Sequence, residues 1–255
     1  MAKPYRFRRL PGAVDPGPLL GELDALPAEA WLRSQWKWHL GTRFLILRGG
    51  TPGKAPGSAL TAGAGVDAPA LADLPALRHL LDTGFPEPAT LAWVGLSPAG
   101  SRIHLHVDNT AHWDAHHRVH VPLRTSPGAR LCVDATWLHL PAGTVWAFNN
   151  SRPHGALNTG PERLHLMVDL PSTPAVEGWL AQGRDAAGLP DPEAWEALAR
   201  NPLDALQPDD LQGDGWSACW TSRREPRDRR HHLPAPLQGR QRRRCVEAHR
   251  PHPPQ

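Results

Sequence analysis

Between positions 89 and 170 apolar residues recur at every second place, in seven short runs: "TLAWVGL", "SRIHLHVD", "HRVHVPLRT", "ARLCVDA", "TWLHL", "TVWAFNN" and "RLHLMVDL". A period of two is the signature of a strand, whose successive side chains point to opposite faces, and it leaves no room for a helix here. The links are brief and turn-forming, as in "SPAG" and "LPAG". Seven short strands with tight turns predict a mainly β domain, a sandwich or a barrel.

On either side the period becomes helical. Leucines at helical spacing predict helices over 16–27 and 74–86, the second closed by Gly84 and Pro86, and "AVEGWLAQ" and "DPEAWEALAR" predict two more after Pro171. "RFLILRGG" reads as a strand running into a glycine turn, and "TPGKAPGSALTAGAGVDAPA" as a loop. The chain thus divides into a support region (1–88) that belongs to the same domain, a β core (89–172), C-terminal helices (173–210) and a remainder (211–255). In that remainder ten arginines between 216 and 255 face Glu225, Asp228 and Glu247, a net of +7, so the total of +3 leaves residues 1–215 at −4. Rich in Arg, Pro and His and without apolar periodicity, it cannot bury enough surface to offset its ordering entropy, and a disordered basic tail is expected. Interleaved aromatics are missing there, so no nucleic-acid partner is expected.

Cys132, Cys219 and Cys245 are odd in number and far apart, which argues against a disulfide framework or a thiolate zinc site. No apolar run approaches eighteen residues and the basic start leads into no apolar segment, so no membrane is expected and a cytoplasmic, reducing setting is.

The polar faces of three strands carry the chemistry. Alternation sets His104, His106 and Asp108 against Ile103, Leu105 and Val107; Arg118 and His120 against Val119, Val121 and Leu123; and Arg163, His165 and Asp169 against Leu164, Leu166, Val168 and Leu170. Three strands loaded with His, Arg and Asp predict a shared polar lumen, their aliphatic faces covered by the N-terminal helices and the opposing sheet. Within it His106 and Asp108 offer two metal ligands. His154, read as the end of the strand "TVWAFNN", offers a third, which makes a two-histidine, one-carboxylate set that leaves open positions on Fe(II). Arg163, nine residues further, is a permanent cation able to fork onto a carboxylate. Other readings stand beside this one. His104 and His106 could form an HxH pair with His154, as in a cupin-like isomerase or binding protein. Arg118 and Arg163 could be ion-pair partners of Asp108 and Asp169.

"SPAGSRIHLHVDN", "HRVHVPLRT" and "LPAGTVWAFNNSRPHGALNTGPERLHLMVDL", spanning most of 97–170, together resemble the aspartyl/asparaginyl β-hydroxylase-like Fe(II)/2-oxoglutarate dioxygenases, which include bacterial proline hydroxylases. The resemblance implies a double-stranded β-helix, or jelly roll, in which His106, Asp108 and His154 hold iron. It implies that Arg163 clamps the distal carboxylate of 2-oxoglutarate, with Arg118 and His120 around its 1-carboxylate end. The implied activity is hydroxylation of an amino acid, free or as a side chain in a peptide, with O2 consumed and succinate and CO2 released. Where relatives place a serine beside the co-substrate, this chain has about Gly95, with Ser97 and Ser101 near it. A non-catalytic relative that binds a partner through its arginine tail is the further alternative. Oligomeric state is not set by the sequence.

Overall fold

The computed structural model describes residues 3–34, 39–50, 64–108 and 111–199. The basic tail expected at 211–255 and much of the loop after Gly50 lie outside the described residues.

In chain order the described elements begin with β1 (Phe7–Ala13), α1 (Pro16–Asp24), β2 (Leu32–Arg33), β3 (His39–Leu40), β4 (Arg43–Arg48) and α2 (Pro75–Thr83). The core follows as β5 (Leu91–Ser97), β6 (Arg102–His106), β7 (His116–Arg124), β8 (Ala129–Val133), β9 (Thr136–His139), β10 (Thr144–Phe148), β11 (His154–Asn158) and β12 (Arg163–Pro171). Last come α3 (Pro174–Ala181), β13 (Arg184–Ala186), β14 (Leu189–Pro190) and α4 (Pro192–Ala199). Two sheets result, one in the order β13-β1-β10-β7-β12-β5-β4-β2 and one in the order β14-β9-β8-β11-β6-β3. All their pairings are antiparallel, and the fold is the mainly β jelly roll with flanking helices.

The larger sheet is two-sided in the way the alternation requires. Its aliphatic face, with Val119, Val121, Leu164, Leu166 and Val168 all 1 % exposed or less, packs on Leu19 and Leu23 of α1, Leu77 and Leu81 of α2, and Val176 and Leu180 of α3. Among the described residues the helices, with Tyr5, Leu74 and Phe85 beside them, cover that face, and the opposing sheet meets the polar one. Fully burying each such side chain contributes about 1.5–3 kcal/mol, so this seam fixes which strand faces look inward.

The helices start where local chemistry places them. Asp15 accepts from the Gly17 amide at the head of α1, Thr173 accepts from Val176 at the head of α3, and a proline opens each first turn. Helix α2 has no capping side chain of its own: the Glu22 carboxylate, from α1, accepts from Ala76 and Leu77 at 2.6 and 3.1 Å. The strand "RFLILR" does run into a glycine turn, since Gly49 and Gly50 both have φ near +70° (71° and 76°).

Two sequence expectations give way here. His154 does not end β10 but begins β11, which lies in the other sheet between β8 and β6. Strand β6 does not alternate strictly either: His106 pairs with His154 and Ile103 with Ala156, so β6 carries one residue more than β11 over the same span. Such a bulge turns neighbouring side chains to one side, and its effect on His104 is described below.

Candidate metal and co-substrate site

Between the sheets lies a cavity of about 100 Å³ that opens to the surface. From the smaller sheet come His106, His154 and Ile103; from the larger sheet Trp93, Gly95, Arg118, His120, Arg163, His165 and Met167; Asp108 follows β6. The bulge puts Ile103 and His106 both on the cavity side. A third edge is lent by His39 of β3, Phe44 of β4 and Thr42 from the turn between them. Gly155, beside His154, has no space for a side chain: a Cβ there would lie 2.6 Å from the Ile103 carbonyl oxygen.

At one end His106, Asp108 and His154 bring one ligand atom each to within 4.8 Å of one another. Their surroundings prepare them as donors. Nδ1 of His106 lies 2.8 Å from the His104 carbonyl and Nδ1 of His154 lies 2.9 Å from the Arg152 carbonyl. A carbonyl can only accept, so each Nδ1 carries the hydrogen and each Nε2 presents its lone pair. Burial holds both imidazoles below their ordinary pKa; for His154 the nearby His106 adds to this, and Asp108 opposes it at both. Neutral imidazole is the metal-binding form. Asp108 Oδ2 accepts from Asn150 Nδ2 at 3.0 Å and faces Arg118 Nη1 at 3.5 Å, which fixes the carboxylate plane.

His104, expected on the same face, is elsewhere. Its Nδ1 lies 3.1 Å from the Leu198 carbonyl of α4, and it neither lines the cavity nor joins the cluster. The cupin-like reading, which needed His104 and His106 as a ligand pair, fails on the β6 bulge.

The two arginines also part company. Arg118 spends its fork on Asp169, Nε to Oδ1 at 2.8 Å and Nη2 to Oδ2 at 2.9 Å, with its guanidinium carbon 4.3 Å from the ring centroids of both Trp93 and Trp113. Burial alone would raise the fully buried Asp169 carboxyl, but the Arg118 charge, with hydrogen bonds from His112 and Arg118, holds it below the usual carboxylate value. Arg163 has no such partner. It is 6 % exposed, no carboxylate among the described residues pairs with it, and burial pushes its pKa down to about 10. Arg163 Nε and, around it, Thr42 Oγ1, His120 Nε2 and His165 Nε2 are all buried and lack a hydrogen-bond partner among the described residues. Burial, the first cause, keeps His120 and His165 well below their ordinary pKa and therefore neutral, and Arg163 reinforces it. Orphaned buried polar atoms are costly. Three of them beside one unpaired cation whose own Nε is also orphaned describe a place for an anion.

The family model for aspartyl/asparaginyl beta-hydroxylase matches residues 59–173, which include His106, Asp108, Arg118, His120, His154 and Arg163. That match covers somewhat less than half of the chain, and over those residues the chain is similar to this family. No curated protein matches the sequence. Among solved structures it is similar to a prolyl-4-hydroxylase of Pseudomonas putida (18% identity, 67% of this chain and 94% of that one, TM-score 0.41). It is also similar to a Burkholderia pseudomallei oxidoreductase of the 2OG-Fe(II) oxygenase family (19%, 59% and 76%, TM-score 0.39). A third is a Trichoplax adhaerens prolyl hydroxylase in complex with a peptide fragment of hypoxia inducible factor (13%, 70% and 87%, TM-score 0.43).

The residues present fit the groups this family uses. Two Nε2 lone pairs and a carboxylate suit ferrous iron, and the unpaired guanidinium with its orphaned neighbours suits the distal end of a dicarboxylate. Of the positions considered for the family's serine, Gly95 lines the cavity and has no side chain to offer, while Ser97 pairs in register with Arg163 but does not line the cavity. The hydroxyl that does is on Thr42. Thr42, His39 and Phe44 escape sequence reading because they precede the patterned region, and the pairing of β3 with β6 and of β4 with β5 brings them in. Asn150 had a signal, standing in "FNNS" shortly before His154.

Proposed function

We propose that this enzyme hydroxylates an unactivated C–H bond of an amino acid, free or as a side chain in a peptide, consuming O2 and 2-oxoglutarate and releasing succinate and CO2. In this reading His106, Asp108 and His154 hold Fe(II), and Arg163 with His120 receives 2-oxoglutarate, with Thr42 and His165 beside them. The observation that carries it is the unpaired, buried Arg163 sharing one cavity with the His106–Asp108–His154 cluster. Bound iron supplies O2 activation and the oxidising power for C–H cleavage.

The chain's own residues do the rest. The His104 and Arg152 carbonyls hold the two imidazole rings in the ligating tautomer. Asn150 and Arg118 keep Asp108 from rotating. Arg163 gives the dicarboxylate its direction, so that its other end comes to the metal side, where Arg118 Nη1 is the arm not engaged with Asp169. Apolar walls from Trp93, Phe44, Ile103 and Met167 keep water from a reactive centre. No helix among the described residues is long and apolar enough to cross a membrane. A cytoplasmic setting is part of the proposal and agrees with Cys132 as a free, buried thiol.

Anaerobic addition of Fe(II) and 2-oxoglutarate to wild-type protein should produce a weak visible charge-transfer band, and His106→Ala should abolish both the band and succinate formation. A wild-type protein loaded with Fe(II) that shows no band and no succinate would overturn the reading.

A further inference from the structure

Lys3 lies far outside the matched residues and does not itself line the cavity, yet its amine is linked through Asn150 to the metal cluster. Its carbonyl accepts from Asn149 Nδ2 at 2.7 Å, and the Asn149 amide donates to the Arg6 carbonyl, which pins this segment beside the end of β10. Nζ donates to Asn150 Oδ1 at 2.5 Å, and the same Asn150 amide donates through Nδ2 to Asp108. The Lys3 amine is thus one side chain removed from the metal cluster.

Its electrostatic position is unusual. Nζ lies 6.0 Å from the Trp113 ring centroid, and the Arg118 guanidinium lies 4.3 Å from the same ring. Arg118 has Asp169 as its counter-ion, whereas Lys3 touches only the neutral amide oxygen of Asn150, and no carboxylate among the described residues lies within ion-pair distance of it. Burial, then the Arg118 charge, pushes the amine down to about 8, so it is mostly protonated at neutral pH. In the loaded enzyme the other charges cancel: Arg118 against Asp169, and a divalent metal with Arg163 against Asp108 and a doubly charged co-substrate. The histidines lining the cavity are held below their ordinary pKa. One positive charge is left over, on Lys3. A half-buried cation without a counter-ion is costly to keep.

We propose that Lys3 binds a carboxylate of the substrate, so that the molecule oxidised is a free amino acid whose acid group sits between Lys3 and Trp113, next to Asp108. This rests on the oxygenase reading and narrows its substrate to the free acid. An internal residue of a peptide has no carboxylate to offer there unless its side chain supplies one.

Binding of the common free L-amino acids and of their C-terminal amides is measured by calorimetry on protein loaded with Mn(II) and 2-oxoglutarate, which binds without turning over. Wild type should bind at least one acid and bind its amide at least tenfold more weakly. Lys3→Met should weaken the acid about 10- to 100-fold, the range for one hydrogen bond to a charged group, and leave the amide and 2-oxoglutarate unchanged. Lys3→Arg should restore most of the loss. Equal binding of acid and amide by wild type, no binding of any acid, or a silent Lys3→Met would each overturn the proposal. Succinate formation and the charge-transfer band of wild type are read in parallel. If both are present while Lys3→Met is silent, this inference alone falls; if both are absent, the oxygenase reading falls with it.

Discussion

Replacing Arg163 by Met should make the protein more stable and a worse enzyme at once. Burial brings the Arg163 guanidinium from its ordinary 12.5 down to about 10, with no anion among the described residues to offset it. At about 1.4 kcal/mol per pH unit, holding that charge in the empty fold costs on the order of 3 kcal/mol. The sign follows from the direction of the shift. A base whose folded pKa is depressed binds its proton less readily in the fold, so the cost is present at every pH below about 10 and disappears only above it. Methionine keeps the stem's packing and removes the charge. Without 2-oxoglutarate, Arg163→Met should therefore unfold at higher urea, by up to about 3 kcal/mol, or melt roughly 5–10 °C higher. In titrations followed by the charge-transfer band, the same variant should bind 2-oxoglutarate about 100- to 1000-fold more weakly, because two charge-assisted hydrogen bonds are lost. Wild type should recover the deficit on adding the dicarboxylate, as a ligand that binds only the folded state must. An Arg163→Met protein that is less stable than wild type without co-substrate, or that binds 2-oxoglutarate equally well, would refute this account of the cavity.

Three further outcomes follow from the same geometry. His104→Ala should leave metal affinity within about twofold, since the ring faces α4, while the Leu198 carbonyl loses its donor and stability falls by about 1–3 kcal/mol; metal titration and urea unfolding separate the two effects. Asn150→Ala releases Asp108 Oδ2 and should lower metal affinity about 10- to 100-fold with little change in melting temperature. Metal-free protein should be acid-labile. His39, His120, His154 and His165 all have folded pKa values depressed by burial, so the unfolded chain binds more protons as pH falls below about 6.5, and stability declines by up to about 1.4 kcal/mol per pH unit for each. Urea midpoints at pH 7.5 and 5.5 should differ clearly; equal midpoints would mean that these rings are solvated.

What could be read from the sequence was whatever repeats locally. Alternation in "HRVHVPL" and "RLHLMVDL" told which residues face inward, because burying Val121 or Leu166 against helices leaves the neighbouring His120 and His165 only one other side to face. The chemistry of His106, Asp108 and His154 was legible as residue types at a spacing. Alternation fails where a strand takes an extra residue, and nothing in "RIHLH" marks the bulge that separates His104 from His106. It also fails where strands are too short to show a period, as in β3, or carry Pro and Gly, as β1 does in "FRRLPGA". Arg163's isolation and Arg118's pairing with Asp169 are three-dimensional facts, decided by which acid the fold brings within reach of which base. Thr42 and Lys3 come from the least patterned part of the chain, and long-range pairing alone gives them a place.

That pairing bears on how the enzyme can be trimmed. A fragment cut to residues 59–173 keeps His106, Asp108 and His154 but loses β1, β3 and β4, which hydrogen-bond to β10, β6 and β5 respectively. Three raw strand borders would then offer unsatisfied amides and carbonyls to any neighbouring chain, a template for sticking rather than for catalysis.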